Sequence, residues 1–284
     1  MSDIPSANEA LCLRALQETD RDRYLASLLT PADRRAAIVA LYAYNAELAR
    51  VRDLVREPLP GEVRLQYWRD LLEGAAHGET AGNPVAAELL RAVQTWRLPV
   101  APLVAMADAR IFDLYDDPME TPAMFEGYAG ETAAALIQLS SLVLDAEAAE
   151  AASEIAGHAG VALAVAGAIL LMPIHRARGQ VYLPTQILAS VGLDRDAFLA
   201  GGNDERMTAA IQAFAGFGLD HLRKARAAGR IPKSLLAAFL PATLAESVLK
   251  RAMKIGHVSL STDIRPPQWR RQIAMMRLLL TGRL

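Results

Sequence analysis

Residues 155–174 read IAGHAGVALAVAGAILLMPI, twenty positions without an Asp, Glu, Lys or Arg. A run of that length reaches across a bilayer, so its assignment decides between a membrane span and the buried helix of a globular fold. His158 lies inside it, Pro173 stands near its end, and Ala, Gly and Val dominate over Leu and Phe. Small residues allow close approach of neighbours, and a helix surrounded by other helices is apolar all round. The stretch is expected to be a central buried helix. The rest of the chain agrees: 54 of 284 residues are Ala and only 18 are Gly, and Ala is the best intrinsic helix former. An all-α fold is the expectation. With 52% hydrophobic and 22% charged residues, disordered, collagen-like and coiled-coil classes are excluded.

Working outward, Thr30-Pro31-Ala32-Asp33 offers a hydroxyl cap, a proline at the first helical position and an acid three residues after the cap. A helix is expected from Pro31 to about Val55. Further helices are expected near Gly61–His77, Pro84–Thr95, Pro102–Tyr115, Pro122–Leu144, Glu147–Leu171, Glu205–Ala228, Lys233–Leu240, Leu244–Lys254 and Pro267–Leu280, with Pro and Gly in most gaps. No fixed-period repeat and no clean linker occurs, so residues 1–284 read as one domain. The single Cys12 forms no internal bridge and fits a reducing compartment. The stretch MSDIPSANEAL has neither the basic flank and apolar run of a signal peptide nor the Arg-rich character of a transit peptide, so a cytoplasmic location is expected.

Net charge is −2, but its distribution is uneven. Residues 221–284 hold 13 Lys and Arg against 2 acids, leaving 17 against 30 upstream: +11 against −13. Such asymmetry points to an anionic membrane surface or an acidic partner, or to mutual neutralisation within the fold. Nucleic acid is not expected, because the basic residues lack interleaved aromatics and a recognition motif.

Chemistry-bearing motifs are sparse. Asp113-Leu114-Tyr115-Asp116-Asp117-Pro118-Met119-Glu120 has the look of a cation site, yet Pro118 forces Asp117 into extended backbone, so the cluster reads as a solvated helix end. His77, His158, His175, His221 and His257 show no metal-ligand spacing. No dinucleotide fingerprint, P-loop or nucleophile elbow is present.

Longer-range order says more. Leu41-Tyr42-Ala43-Tyr44-Asn45, then Gln66-Tyr67-Trp68-Arg69, then Gly160 and Ala162 leading to Gly179-Gln180-Val181-Tyr182-Leu183-Pro184, resemble the squalene/phytoene synthase family over about Asp22 to Trp269. The resemblance implies an all-α isoprenoid-synthase fold around a central cavity. In that family two DxxxD motifs on facing helices hold magnesium ions against prenyl diphosphates. Carboxylates at i and i+4 share a helix face, and magnesium neutralises the leaving diphosphate. Aligned on this pattern, the first motif falls on Ala49 and Asp53, with Arg50 and Arg52 between, and the second on Leu171 and His175. The upstream amide pair becomes Ala164 and Gly167. One carboxylate of four survives.

That loss, together with Tyr44 to Asp53, Asn83-Pro84-Val85-Ala86 and Pro173-Ile174-His175, resembles the complex I assembly factor 6 family. The resemblance implies a non-catalytic protein without cofactor, whose partners are respiratory complex I assembly intermediates. Its place would be peripheral on the inner face of the cytoplasmic membrane, or on the matrix side in a mitochondrion. The alternatives are a head-to-head prenyl transferase, which would need magnesium, and a protein that binds isoprenoid or lipid without turnover. The vestigial ligand site is expected at Arg50, Asp53, Leu171, His175, Arg178 and Tyr182, with Arg176 near it and with Leu163, Ile169 and Leu171 as apolar wall. Membrane contact is expected at Arg270, Arg271 and Arg277, beside the apolar run Met275 to Leu280.

Overall fold

The computed structural model describes residues 6–75 and 82–284. His77, the expected end of its helix and Met1–Pro5 lie outside the described residues. Among those described, the chain is helical without strands. Its helices run α1 (Ala7–Thr19), α2 (Arg21–Leu28), α3 (Ala32–Ala49), α4 (Val51–Leu54), α5 (Pro58–Glu73), α6 (Pro84–Trp96) and α7 (Val100–Ala109). There follow α8 (Pro122–Ala129), α9 (Ala135–Leu144), α10 (Ala146–Ala151), α11 (Ser153–Ala177), α12 (Thr185–Ser190) and α13 (Arg195–Ala200). The last four are α14 (Asp204–Ala227), α15 (Leu236–Phe239), α16 (Thr243–Ile255) and α17 (Gln268–Thr281). They group into two compact units, each drawn from three separate stretches of chain: 1–115, 135–153 and 232–241 in the first, the remainder in the second.

The first unit is built on α3, where every residue from Ala37 to Asn45 is buried. Tyr44 donates its hydroxyl to the Leu103 carbonyl at 2.8 Å and meets the Trp68 ring edge-on at 5.1 Å. Burial drives the Tyr44 hydroxyl well above the ordinary tyrosine range and pushes Tyr42 up to about 12. The Leu41–Asn45 segment and Trp68 are thus packing elements. Cys12 is fully buried, and burial raises its thiol to about 11, which makes it inert at neutral pH.

Two local expectations change. Thr30 is not the cap of α3: its hydroxyl donates back to Ala26 O at 3.2 Å, while Pro31, with ψ 138°, takes the cap position without a side-chain bond. The expected Pro31–Val55 helix also breaks at Arg50, which ends α3 and opens the four-residue α4.

In the second unit α11 is the long central helix. It has the length and apolarity to cross a membrane, yet 61% of its most apolar 18-residue window is buried, as the core reading requires. Its start also differs from expectation, because Asp145 caps a separate short helix, α10, before α11 begins at Ser153. Gly160 lets α11 approach a π-helical turn, Gly130–Ala134: a Cβ there would fall 2.4 Å from Ala134 Cα. Gly218 of α14 lies equally tight, with Leu249 and Val165 both 3.0 Å from where its Cβ would stand. Phe125, Phe214 and Phe217 close the core, the first two edge-on at 5.1 Å.

Candidate functional site

The two motif positions of the first unit sit at the break. Ala49 and Asp53 are exposed, and because the helix is interrupted at Arg50 they no longer belong to one continuous turn ladder, so the i, i+4 logic fails locally. Arg50 pairs with Glu47 at 3.2 Å and is about two-fifths exposed. Arg52 reaches the Val55 carbonyl at 3.5 Å.

In the second unit Leu171, 41% exposed, and Ile174, 48% exposed, lie on an accessible face of α11. Leu163, Ala164, Gly167, Ala168 and His175 extend that face as half-buried positions at helical spacing. Ile169, expected on the apolar wall, is 1% exposed and belongs to the core instead. The His175 ring lies 4.5 Å from Tyr182, which in turn lies 5.9 Å from Tyr128. This juxtaposition follows from the Gly179 turn. Its φ of +77° suits only glycine at low cost, and it lets Gln180 N–H return to His175 O at 2.9 Å. Arg178, exposed, stands beside that turn. Arg176 is no anion site: its guanidinium donates to the Phe198 and Leu199 carbonyls and fastens α13. The structure thus joins His175 and Tyr182 in one unit and Arg50 and Asp53 in the other.

The acidic run divides. Asp113 is buried and paired with Arg110 at 3.0 Å, a correction to the solvated reading. Asp116, Asp117 and Glu120 are exposed. Among the described residues no group of three or more His, Cys, Asp and Glu side chains converges on a metal position.

A cluster that the sequence did not signal joins three helices of the second unit. His158 Nδ1 and His221 Nδ1 are 3.1 Å apart, and His221 Nε2 is 3.0 Å from Glu126 Oε1. His221 is 4% exposed, and burial lowers its pKa despite the opposing pull of Glu126. Residues 63 and 95 positions apart in the chain leave no local pattern to read.

At the C-terminal end Arg270 and Arg277 are exposed, whereas Arg271 is half-buried. Met275 and Leu278 of the expected apolar run face the core. The exposed apolar positions are Trp269, Ile273, Met276 and Leu280.

Helices in this order, with the first motif segment at the α3–α4 break and the second on α11, where its positions hold Leu171 and His175, define an isoprenoid-synthase-type protein. A dehydrosqualene synthase structure has the same fold, with a TM-score of 0.75 over 95% of both chains at 18% identity. A squalene synthase from Alicyclobacillus acidocaldarius gives 0.71 over 88% of this chain and 96% of that one, at 17% identity. The chain belongs to the squalene/phytoene synthase family, whose model matches residues 16–277, and within it to the group of NADH dehydrogenase (ubiquinone) complex I, assembly factor 6. It is 32% identical to the rat protein of that name, over 86% of this chain and 73% of that one, and the human protein gives the same figures. A 15-cis-phytoene synthase from Synechocystis is more distant, 25% identical over 69% of this chain and 61% of its own length.

Proposed function

We propose that this protein is a non-catalytic member of its family that supports the assembly of respiratory complex I. The carrying observation is its 32% identity, over most of its length, to relatives named as complex I assembly factor 6. The chemistry agrees. A synthase site must hold enough divalent charge to stabilise a departing diphosphate, and here Ala49, Leu171 and His175 stand at three of the four positions where the family carries aspartate. No cofactor is needed for the role. The work takes place at the inner face of the cytoplasmic membrane, or on the matrix side in a mitochondrion, with the basic C-terminal part turned to the lipid.

Deleting the gene in its native host is expected to stall complex I at a subassembly on native gels, and re-expression of the intact chain to restore it. Restoration by an Asp53→Asn variant supports a role independent of metal. Normal complex I in the deletion strain would remove the assembly reading. Magnesium added with a farnesyl diphosphate analogue is expected to give no thermal shift beyond that of the analogue alone, and turnover to squalene or phytoene would promote the prenyl transferase alternative.

The accessible apolar face of α11, from Leu163 to Ile174, favours one addition. It suits the polyprenyl chain of an isoprenoid or another lipid, held without turnover. Retention of a bound lipid through purification, lost on Leu171→Asp, is the check.

A further inference from the structure

We propose that α17 and the cleft beside it form a binding site for an anionic phospholipid, with the helix lying in the interface and the cleft holding a headgroup phosphate. The inference rests on the membrane reading above and deepens it. Trp269, Ile273, Met276 and Leu280 follow one another at steps of four, three and four residues, and so form one stripe along α17. They are 56%, 59%, 46% and 83% exposed, respectively. The helix carries three Arg and no acid. A helix with an apolar stripe, basic flanks and a Trp at one end lies in the plane of a lipid interface.

Charge complementarity decides the occupant. Arg270, next to the stripe with its guanidinium 5.0 Å over the Trp269 ring, also lines a cleft of about 370 Å³ between α16, the 263–267 loop and α17. Arg251, Arg265 and Arg271 line the same space, as do the hydroxyl residues Thr243 and Ser247, against the single acid Asp263. Guanidinium forks with neighbouring hydroxyls are the chemistry that recognises phosphate oxygens. A larger cleft of about 620 Å³ at the other end of α17 is also basic. There Arg226 and Lys250 both bind Glu246, at 2.7 and 2.8 Å. Through Arg270, which lines the smaller cleft and lies over Trp269, that cleft adjoins the Trp269 end of the stripe, where a phosphodiester would lie once the stripe entered the acyl boundary.

The test is flotation of the intact protein with phosphatidylcholine vesicles made equally negative by phosphatidylglycerol or by oleate. Binding to the phosphatidylglycerol vesicles is expected to exceed that to the oleate vesicles by about fivefold, roughly what one well-placed arginine contributes at such a surface. Arg251→Gln with Ser247→Ala, both at exposed positions of α16, should erase the preference and leave adsorption to oleate vesicles unchanged. Ile273→Ser with Leu280→Ser should weaken binding to both, and brominated acyl chains should quench Trp269. Equal binding to the two vesicles, unaffected by the Arg251 variant, would overturn the headgroup site while the membrane reading stood. No flotation with either, joined to loss of complex I intermediates by the stripe variant in cells, would overturn both readings and give this face to a protein.

Discussion

His158 and His221 face each other through their Nδ1 atoms at 3.1 Å. Because His221 Nε2 points at the Glu126 carboxylate, its Nε2 is the donor there and its Nδ1 must accept, so His158 Nδ1–H is the donor between the rings. Protonating His221 would set two N–H groups head to head. Burial is the main cause that lowers its pKa, with the His158 and Lys224 charges adding and Glu126 opposing.

The sign of the pH dependence follows. A base whose folded pKa lies below its unfolded value of about 6.5 favours folding when neutral. Its contribution is complete above the unfolded pKa and is lost as pH falls toward the folded one. Urea unfolding should therefore show stability declining below about pH 6.5, with a shallower decline in His221→Gln. Glu126→Gln should lower the His221 pKa further, as read by ring-proton NMR. Identical slopes in wild type and His221→Gln would take this cluster out of the acid response.

Gly160 and Gly157 give a contrast on one helix. A methyl at Gly160 meets the Ala134 backbone at 2.4 Å, whereas one at Gly157 has nothing within 4 Å. Gly160→Ala should destabilise by about 1–3 kcal/mol through overpacking against backbone. Gly157→Ala should stabilise by about 0.5–1 kcal/mol, because a helix interior gains from Ala over Gly. Thermal unfolding of the two variants checks both signs.

Much of this architecture was legible because proline and glycine punctuate the helices. The Pro84 and Pro122 starts and the C-terminal helix lie within a residue or so of their expected bounds, and the central helix is present but shifted six residues toward the C-terminus, from Glu147–Leu171 to Ser153–Ala177. The first helix was missed although Ser6 and Glu9 form a capping box, a signal present in the sequence. α12 and α13 have six residues each, too few for apolar periodicity to register. The break at Arg50 falls between alanine and valine, with no helix breaker to mark it. For the site, the missing carboxylates were readable from motif order alone. The histidine cluster and the exposed face of α17 were not: the first needs contacts between distant segments, and the second depends on which side of α17 packs on the core.

Tyr44 ties α3 to α7 and α5. Tyr44→Phe leaves the buried Leu103 carbonyl without its 2.8 Å partner and should cost about 1–3 kcal/mol. Trp68→Ala, which empties the position beside the ring, should cost about 3–5 kcal/mol. Urea midpoints of both variants rank them, and a milder effect for Trp68→Ala would mean that α5 relaxes into the space.

Salt separates the two contributions to the proposed membrane contact. Arg270 and Arg277 stand two helical turns apart, both exposed beside the apolar stripe, so both reach the surface potential of an anionic bilayer. The Debye length is about 10 Å at 0.1 M salt and about 3 Å at 1 M, whereas burial of the stripe is insensitive to screening. Flotation with anionic vesicles should fall steeply by about 0.5 M salt, and neutral vesicles should bind weakly at every salt concentration. Arg270→Glu with Arg277→Glu should weaken anionic binding at low salt and change nothing at high salt. Arg271 is a poor choice for this experiment, since its Nε is shielded from solvent and its replacement would disturb packing. Binding to neutral vesicles equal to that on anionic ones would show that the stripe alone suffices and that the +11 charge of residues 221–284 serves another partner.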